Sequence, residues 1–329
     1  MNPDPVGEKT AGAVRSDRLL AGALHVLGAS LMFAMMGALV KAATAELPNA
    51  VVVFFRNALA LAILVPFFLR TPGPSSLKTR HFSRHLVRSL AGLGSMYLFF
   101  YTLGRLPLAE AVLLSYTSPI FIPLVARLWI GEPLSRTVYW AVFLGFAGVV
   151  LILRPGPGVL RPAALLGLGS GVLMAVAMVS IRRMSDTEPP GRIVFYFSLL
   201  ATVVSAVPLL WNWQPPSPRA MMILCGIALF AVLGQMLLTR GYSLAPAGRV
   251  GPFSYANIVF AALLGWLFWS ETLTPLTGLG TLLVCGAGML IAARGHRQTG
   301  VPVPSVPGSP HAMGGRQERQ PAVVKRREP

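Results

Sequence analysis

Ten stretches of this chain are candidate membrane spans, many of them apolar for long enough to cross a bilayer, and that feature excludes most folds at once. A helix needs about 20 predominantly apolar residues to span roughly 30 Å of hydrocarbon. The stretches are Leu20–Val40, Val51–Leu69, Leu86–Leu103, Leu106–Ile130 and Val138–Leu153, then Ala163–Ile181, Ile193–Trp211, Ala220–Thr239, Ala245–Trp269 and Leu276–Ala293. With 54% of 329 residues hydrophobic and only 12% charged, a soluble core could not hide them. Gly and Pro mark the joins, as in RTPGPSS, RPGPGVLRP and WNWQPPSPR, and most joins are too short for an independent domain. The expected fold is an all-α integral membrane protein of ten transmembrane helices. Its first span follows charged residues and lacks a small-residue cleavage site, so it is read as a retained helix.

Orientation follows from the basic residues, because Lys and Arg in short loops collect on the cytoplasmic side. With the N-terminus inside, only Lys41, Arg105, Arg154, Arg161 and Arg219 of the 28 fall outside, and Arg56 and Arg127 lie within spans. Arg88 counts with the basic loop that precedes the third span. Both termini are therefore expected in the cytoplasm, with the chain in the inner membrane. The net charge of +17 is explained by this asymmetry, and no nucleic-acid-binding signature accompanies it. Residues 294–329 lose the apolar pattern and read as a basic, disordered cytoplasmic tail, and residues 1–18 as a short cytoplasmic segment.

The chain also repeats itself. SYTSPIFIPLVARLWIGE at 115–132 aligns without a gap with SYANIVFAALLGWLFWSE at 254–271, an offset of 139. The matches include Pro107/Pro246, Ser115/Ser254, Tyr116/Tyr255, Phe121/Phe260 and Glu132/Glu271. Leu against Leu would mean little in such a composition, but matched Pro, Tyr and Glu positions carry weight. Two units result, 19–154 and 162–293. Five spans per unit is an odd number, so the second unit starts from the opposite side and the repeats are inverted. Inverted repeats supply alternating access around a shared midplane site.

Three segments carry a family resemblance: FFRN in span two (Phe54 to Asn57), HLVRSLAGL opening span three, and RLPLAEAVLLSYTSPIF in span four. With ten spans in two halves, they resemble the drug/metabolite transporter superfamily, specifically its EamA-type members, over roughly residues 18–293. The resemblance implies a secondary transporter of small organic solutes, with a cavity lined by helices one, three, four, six, eight and nine. Members handle amino acids, S-adenosylmethionine, riboflavin, opine-like metallophores or drugs. From the resemblance comes an expectation of export of an amino-acid-like compound or opine-type metallophore, with uptake of S-adenosylmethionine or riboflavin as the alternative. A non-transporting membrane sensor or assembly module is the alternative of another class.

Ionisable groups inside a bilayer are costly and mark function. Arg56 and Glu110 each lie a short distance into their spans from the outer side, where they could pair. Glu110 is the acidic residue inside the spans, which makes it the proton-coupling candidate. Near midplane, Tyr116 and Ser118 before Pro119, and Ser254, Tyr255 and Asn257 after Pro252, suggest a polar floor where proline frees backbone carbonyls. Tyr97 and Tyr101 share one helix face, and Gln235 is an isolated polar group in span eight. These ten residues are the expected substrate contacts. Ordinary helix–helix hydrogen bonding is the competing account of the hydroxyl and amide groups. Lone His25 fits that account too. Lys41 is either an attractor at the outer mouth or an interfacial anchor.

Chemistry is not expected, since HExxH, GxSxG, P-loop and CxxC motifs are all missing. Cys225 and Cys285 stand alone, so neither a metal site nor a disulfide framework is indicated, and no cofactor is expected. The partners are a small-molecule substrate and the lipid bilayer, and Gly-rich faces such as GLGLGSG would also allow a homodimer.

Overall fold

The computed structural model describes residues 5–70, 78–131, 134–153, 162–184, 187–244, 250–272 and 274–298. Within them every regular element is a helix. The first half holds α1 (Pro5–Ala43), α2 (Asn49–Arg70), α3 (Phe82–Leu103), α4 (Leu108–Ser115), α5 (Ser118–Ile130) and α6 (Arg136–Leu153). The second holds α7 (Pro162–Met184), α8 (Pro190–Ala206), the short α9 (Leu209–Asn212), α10 (Pro218–Leu244), a 3₁₀ helix (Gly251–Tyr255), α11 (Ala256–Trp269) and α12 (Pro275–Gln298). Six helical segments are long and apolar enough to cross a membrane, and four shorter apolar ones accompany them. Glu132, Arg249 and residues 299–329 lie outside the described residues, while residues 294–298, expected to begin the tail, continue the last helix.

The sequence explains where these rods are interrupted. Pro119 has no N–H for the carbonyl of Ser115, so the fourth span divides at Tyr116 and Thr117 into α4 and α5. At the equivalent place, 139 residues on, the 3₁₀ turn gives way to α11 after Tyr255. The far ends match as well. Gly131 closes α5 in the left-handed conformation (φ 78°), and Ser270 closes α11 in the same way (φ 53°). Glycine adopts that region freely, whereas a serine there is strained by about 1–2 kcal/mol. The repeat is thus legible in backbone angles as well as in side chains.

Packing follows the same duplication. Among the most extensive contacts are α1 with α10, and α3 with α7; exchanging the halves turns one pair into the other. The pairs α1–α11 and α5–α7 interchange likewise, while α2–α8, α4–α11 and α6–α12 map onto themselves. The last of these is held close by two glycines. A Cβ at Gly148 would stand 2.8 Å from the carbonyl oxygen of Gly280, and the converse distance is also 2.8 Å. Small residues are what let two membrane helices approach so closely. Large apolar side chains face outward, Leu128 (88% exposed) and Leu282 (71%) among them, which suits a lipid solvent.

Candidate functional site

Between the two halves lies a cavity of about 270 Å³. Its walls are mostly apolar and soft: Phe33 and Met36 from α1, Met96, Phe99 and Phe100 from α3, Met174 and Met178 from α7, and Phe197 from α8. Thioethers and aromatic faces adapt to varied solute shapes. Polar groups converge on this lining from other helices, namely Arg56 (α2), Arg88 and Ser95 (α3), Ser115 and Tyr116 (α4), Gln235 (α10) and Asn257 (α11).

The two arginines dominate the electrostatics. Arg56 donates to the Asn57 side chain at 2.9 Å, while its Nε is buried without a hydrogen-bond partner. Arg88 lays its guanidinium 3.7 Å from the centroid of the Phe197 ring, and its Nε and Nη1 are buried and unpartnered. Gly92, one turn along α3, makes room for it, since a Cβ there would sit 2.8 Å from Nη1 and 3.0 Å from Phe197. Among the described lining residues there is no carboxylate to neutralise either charge. A guanidinium at membrane depth costs about 3 kcal/mol, and two facing one cavity repel each other. Such an arrangement is expensive as architecture and useful as an anion receptor.

Of the expected site residues, Arg56, Tyr116, Gln235 and Asn257 line the cavity. Tyr255 lies against Tyr116, with ring centroids 6.1 Å apart, so the paired tyrosines of the two repeat motifs meet where the halves join. The backbone carbonyl of Ser254 accepts a hydrogen bond from Ser30 at 3.3 Å, tying α1 to the 3₁₀ turn. Ser118 begins α5 and is not part of the lining. Tyr97 also stands outside the lining; its hydroxyl is buried and unpartnered, and its carbonyl accepts from Asn49 at 3.0 Å. Tyr101 sits in the last turn of α3, capped by Arg105, which donates to its hydroxyl at 3.1 Å. Glu110 and Arg56 are not brought together. Glu110 occupies the first turn of α4, with the Thr277 hydroxyl 3.5 Å away. His25 bonds the carbonyl of Ala21 on its own helix at 2.7 Å.

Two polar clusters close the bundle at opposite ends. At one end Glu271, aimed by the left-handed Ser270, pairs with Lys41 at 2.8 Å and accepts from the Leu108 amide at 2.6 Å. Lys41 also donates to the Leu106 carbonyl at 2.6 Å and lies 5.6 Å from the Trp269 ring centroid. One carboxylate thus ties the ends of α1 and α11 to the start of α4, where the helix dipole favours it. At the other end Glu188, nearly fully buried, accepts from Thr79 at 2.5 Å and Arg192 at 2.7 Å, 3.6 Å from His85. His85 is itself fully buried and stacked on Tyr196. Burial would push the Glu188 carboxyl up, but the Thr79 and Arg192 hydrogen bonds and the neighbouring positive charge outweigh it and hold the group below its usual range.

Arg88 is the functional candidate that sequence reasoning missed, because its nearness to a basic loop hid it. The available signal was the spacing Arg88–Gly92, in which a glycine one turn on leaves space for a guanidinium to fold along its own helix.

The profile of the EamA-like transporter family matches the chain twice, over residues 20–154 and 161–293. The pseudopaline exporter CntI of Pseudomonas aeruginosa is 38% identical over 271 residues, covering 82% of this chain and 94% of that protein. A riboflavin transporter of Vibrio cholerae is 30% identical over 75% of this chain and 85% of its own length. An S-adenosylmethionine uptake transporter of Rickettsia bellii is 24% identical over 73% and 82%. A solved crystal structure, 20% identical, superposes with a TM-score of 0.58 over 84% of this chain and 98% of that one, a likeness of fold alone. Because both halves fit one profile and a full-length relative aligns almost end to end, this membrane protein is a small-molecule carrier that belongs to the EamA-like transporter family.

Proposed function

We propose that the protein is an inner-membrane secondary transporter that exports a small metabolite bearing carboxylates, of the amino-acid-like or opine-type metallophore class. The observation that carries this reading is the pair of guanidiniums, Arg56 and Arg88, that share one apolar cavity with no protein carboxylate among its described lining residues. An entering carboxylate would take up the free N–H groups in charge-assisted bonds, the geometry for which arginine is suited. A volume of about 270 Å³ fits a small metabolite. The similarity to a protein named as an exporter supports the direction.

The alternatives fit these charges less well. S-adenosylmethionine has one carboxylate to offer, but it also brings sulfonium and ammonium groups, and so a net positive charge, to two guanidiniums. Riboflavin would suit the aromatic walls but leave both positive charges without a counter-ion.

Alternating access is proposed on ten spans in two inverted halves. What supports it is the way polar contacts sort the loops. Lys41–Glu271, Gln214–Glu46 and Arg219–Glu46 join segments that a ten-span count puts outside, and Thr277–Glu110 joins the ends of two spans that it puts nearest that side. Thr79–Glu188, Arg192–Glu188 and Arg183–Trp129 join segments that it puts inside. A reporter fused to the C-terminus is expected to read as cytoplasmic, and a periplasmic reading would break the parity.

Function is tested by comparing metabolites in medium and cell extract with and without the protein. A carboxylated solute depleted inside and enriched outside is the expected result. Accumulation of riboflavin or S-adenosylmethionine inside would replace this reading with uptake, and binding without flux in sealed vesicles would leave a non-transporting module. Proton coupling is assigned to Glu110, so E110Q is expected to export without responding to an imposed pH gradient.

A further inference from the structure

A second concavity, of about 140 Å³, lies where the ends of α3, α5 and α7 meet, and it shares no residue with the central cavity. Ser83, Arg84 and Val87 of α3, Trp129 of α5, and Ser180 and Arg183 of α7 form it. It belongs to the end of the bundle that carries Thr79 and Glu188. Arg183 is held with its guanidinium 4.7 Å from the Trp129 ring centroid, a cation–π contact that fixes its direction. Neither Arg84 nor Arg183 makes an ion pair among the described residues. Arg182 alone would complement the negative end of the α7 dipole. A second, ring-stacked arginine calls for another partner.

The surroundings narrow what that partner is. Below the two arginines the bundle surface is apolar and open, with Val87 (41% exposed), Leu90 (47%) and Leu128 (88%) on α3 and α5. The concavity has room for a phosphate and a few waters at about 30 Å³ each, and its Val87 wall is part of this exposed apolar surface. A soluble anion would satisfy the arginines and leave that surface unused. A lipid satisfies both.

We propose that this groove binds the phosphate of an anionic phospholipid, clamped between Arg84 and Arg183, with its acyl chains lying over Val87, Leu90 and Leu128. Basic recesses between membrane helices at the headgroup level are suited to such ligands. Arg84 is one turn from Arg88 on α3, so a bound lipid also steadies the helix that presents the transport site.

The test uses the full-length protein in neutral detergent and follows lipid retention by native mass spectrometry. Phosphatidylglycerol is expected to bind in preference to phosphatidylcholine of the same chain length. R84Q/R183Q is expected to weaken phosphatidylglycerol binding roughly 30-fold, from two surface charges each acting on the headgroup. R105Q/R219Q removes the same charge from the opposite end and is expected to bind as wild type. V87W keeps every charge but fills the groove, and it is expected to lose the lipid. Undiminished binding by R84Q/R183Q or by V87W overturns the proposal, as does an equal loss in R105Q/R219Q, which would mark diffuse attraction. Displacement of the lipid by inorganic phosphate at equal concentration also overturns it, by showing that the site reads a free anion.

Discussion

R56Q/R88Q is expected to lose roughly 100-fold or more of its export rate for a carboxylated substrate, from two charge-assisted hydrogen bonds of about 1.5–3 kcal/mol each. The same variant is expected to melt at a higher temperature than wild type, because two uncompensated charges leave the membrane interior. Opposite signs for activity and stability are what separate a binding role from a structural one, since removal of a structural group would lower both. R56K/R88K keeps the charge but not the forked donor set, and it is expected to fall between the two. Wild-type flux in the glutamine variant would remove the arginines from the site. G92A is a quieter probe of the same point, for it leaves both charges in place and crowds Arg88 and the Phe197 ring it lies on.

The second large effect is expected at the Lys41–Glu271 contact. E271Q keeps an acceptor for the Leu108 amide but removes the charge that holds Lys41, at a site where both side chains are largely shielded (13% and 17% exposed). Loss of a partly buried ion pair of this kind should shift the open-to-closed ratio at that end by roughly 30-fold, from about 2 kcal/mol. The measurement is labelling of Phe33→Cys in the cavity by a membrane-impermeant thiol reagent applied from the Lys41 side, with Cys225 and Cys285 replaced by serine. Labelling is expected to be slow in the parent and fast with E271Q. Equal rates would show that the pair holds the helices without governing entry.

Much of the architecture was legible because membrane burial writes plainly in sequence. Apolar length gave the helices, and the Ser-Tyr and terminal Glu of each motif gave the repeat that reappears as Gly131 and Ser270, and as Tyr116 against Tyr255. Side-chain partnership was harder to see. Arg56 and Glu110 look like natural partners at similar depth, yet depth along a span says nothing about which way a helix face turns. Arg56 turns to the cavity and Glu110 to Thr277. Tyr101 was grouped with Tyr97 by spacing, but near the helix end an arginine one turn away claims its ring. Arg88 was hidden for a related reason. A basic residue two turns into a span reads as a loop charge until the glycine that shelters it is noticed.

The interruptions after Ser115 and at Tyr255 have a mechanical consequence. A continuous helix bends only by stretching its own ladder of hydrogen bonds, whereas these two are already missing rungs at the level of the cavity. Each is therefore a knee in the hydrocarbon core, and there is one in each half. In the proposed alternating-access cycle, flexing there would let the portion on one side of the chamber swing while the portion beyond stays seated in lipid, so that whole rods need not be dragged through the bilayer.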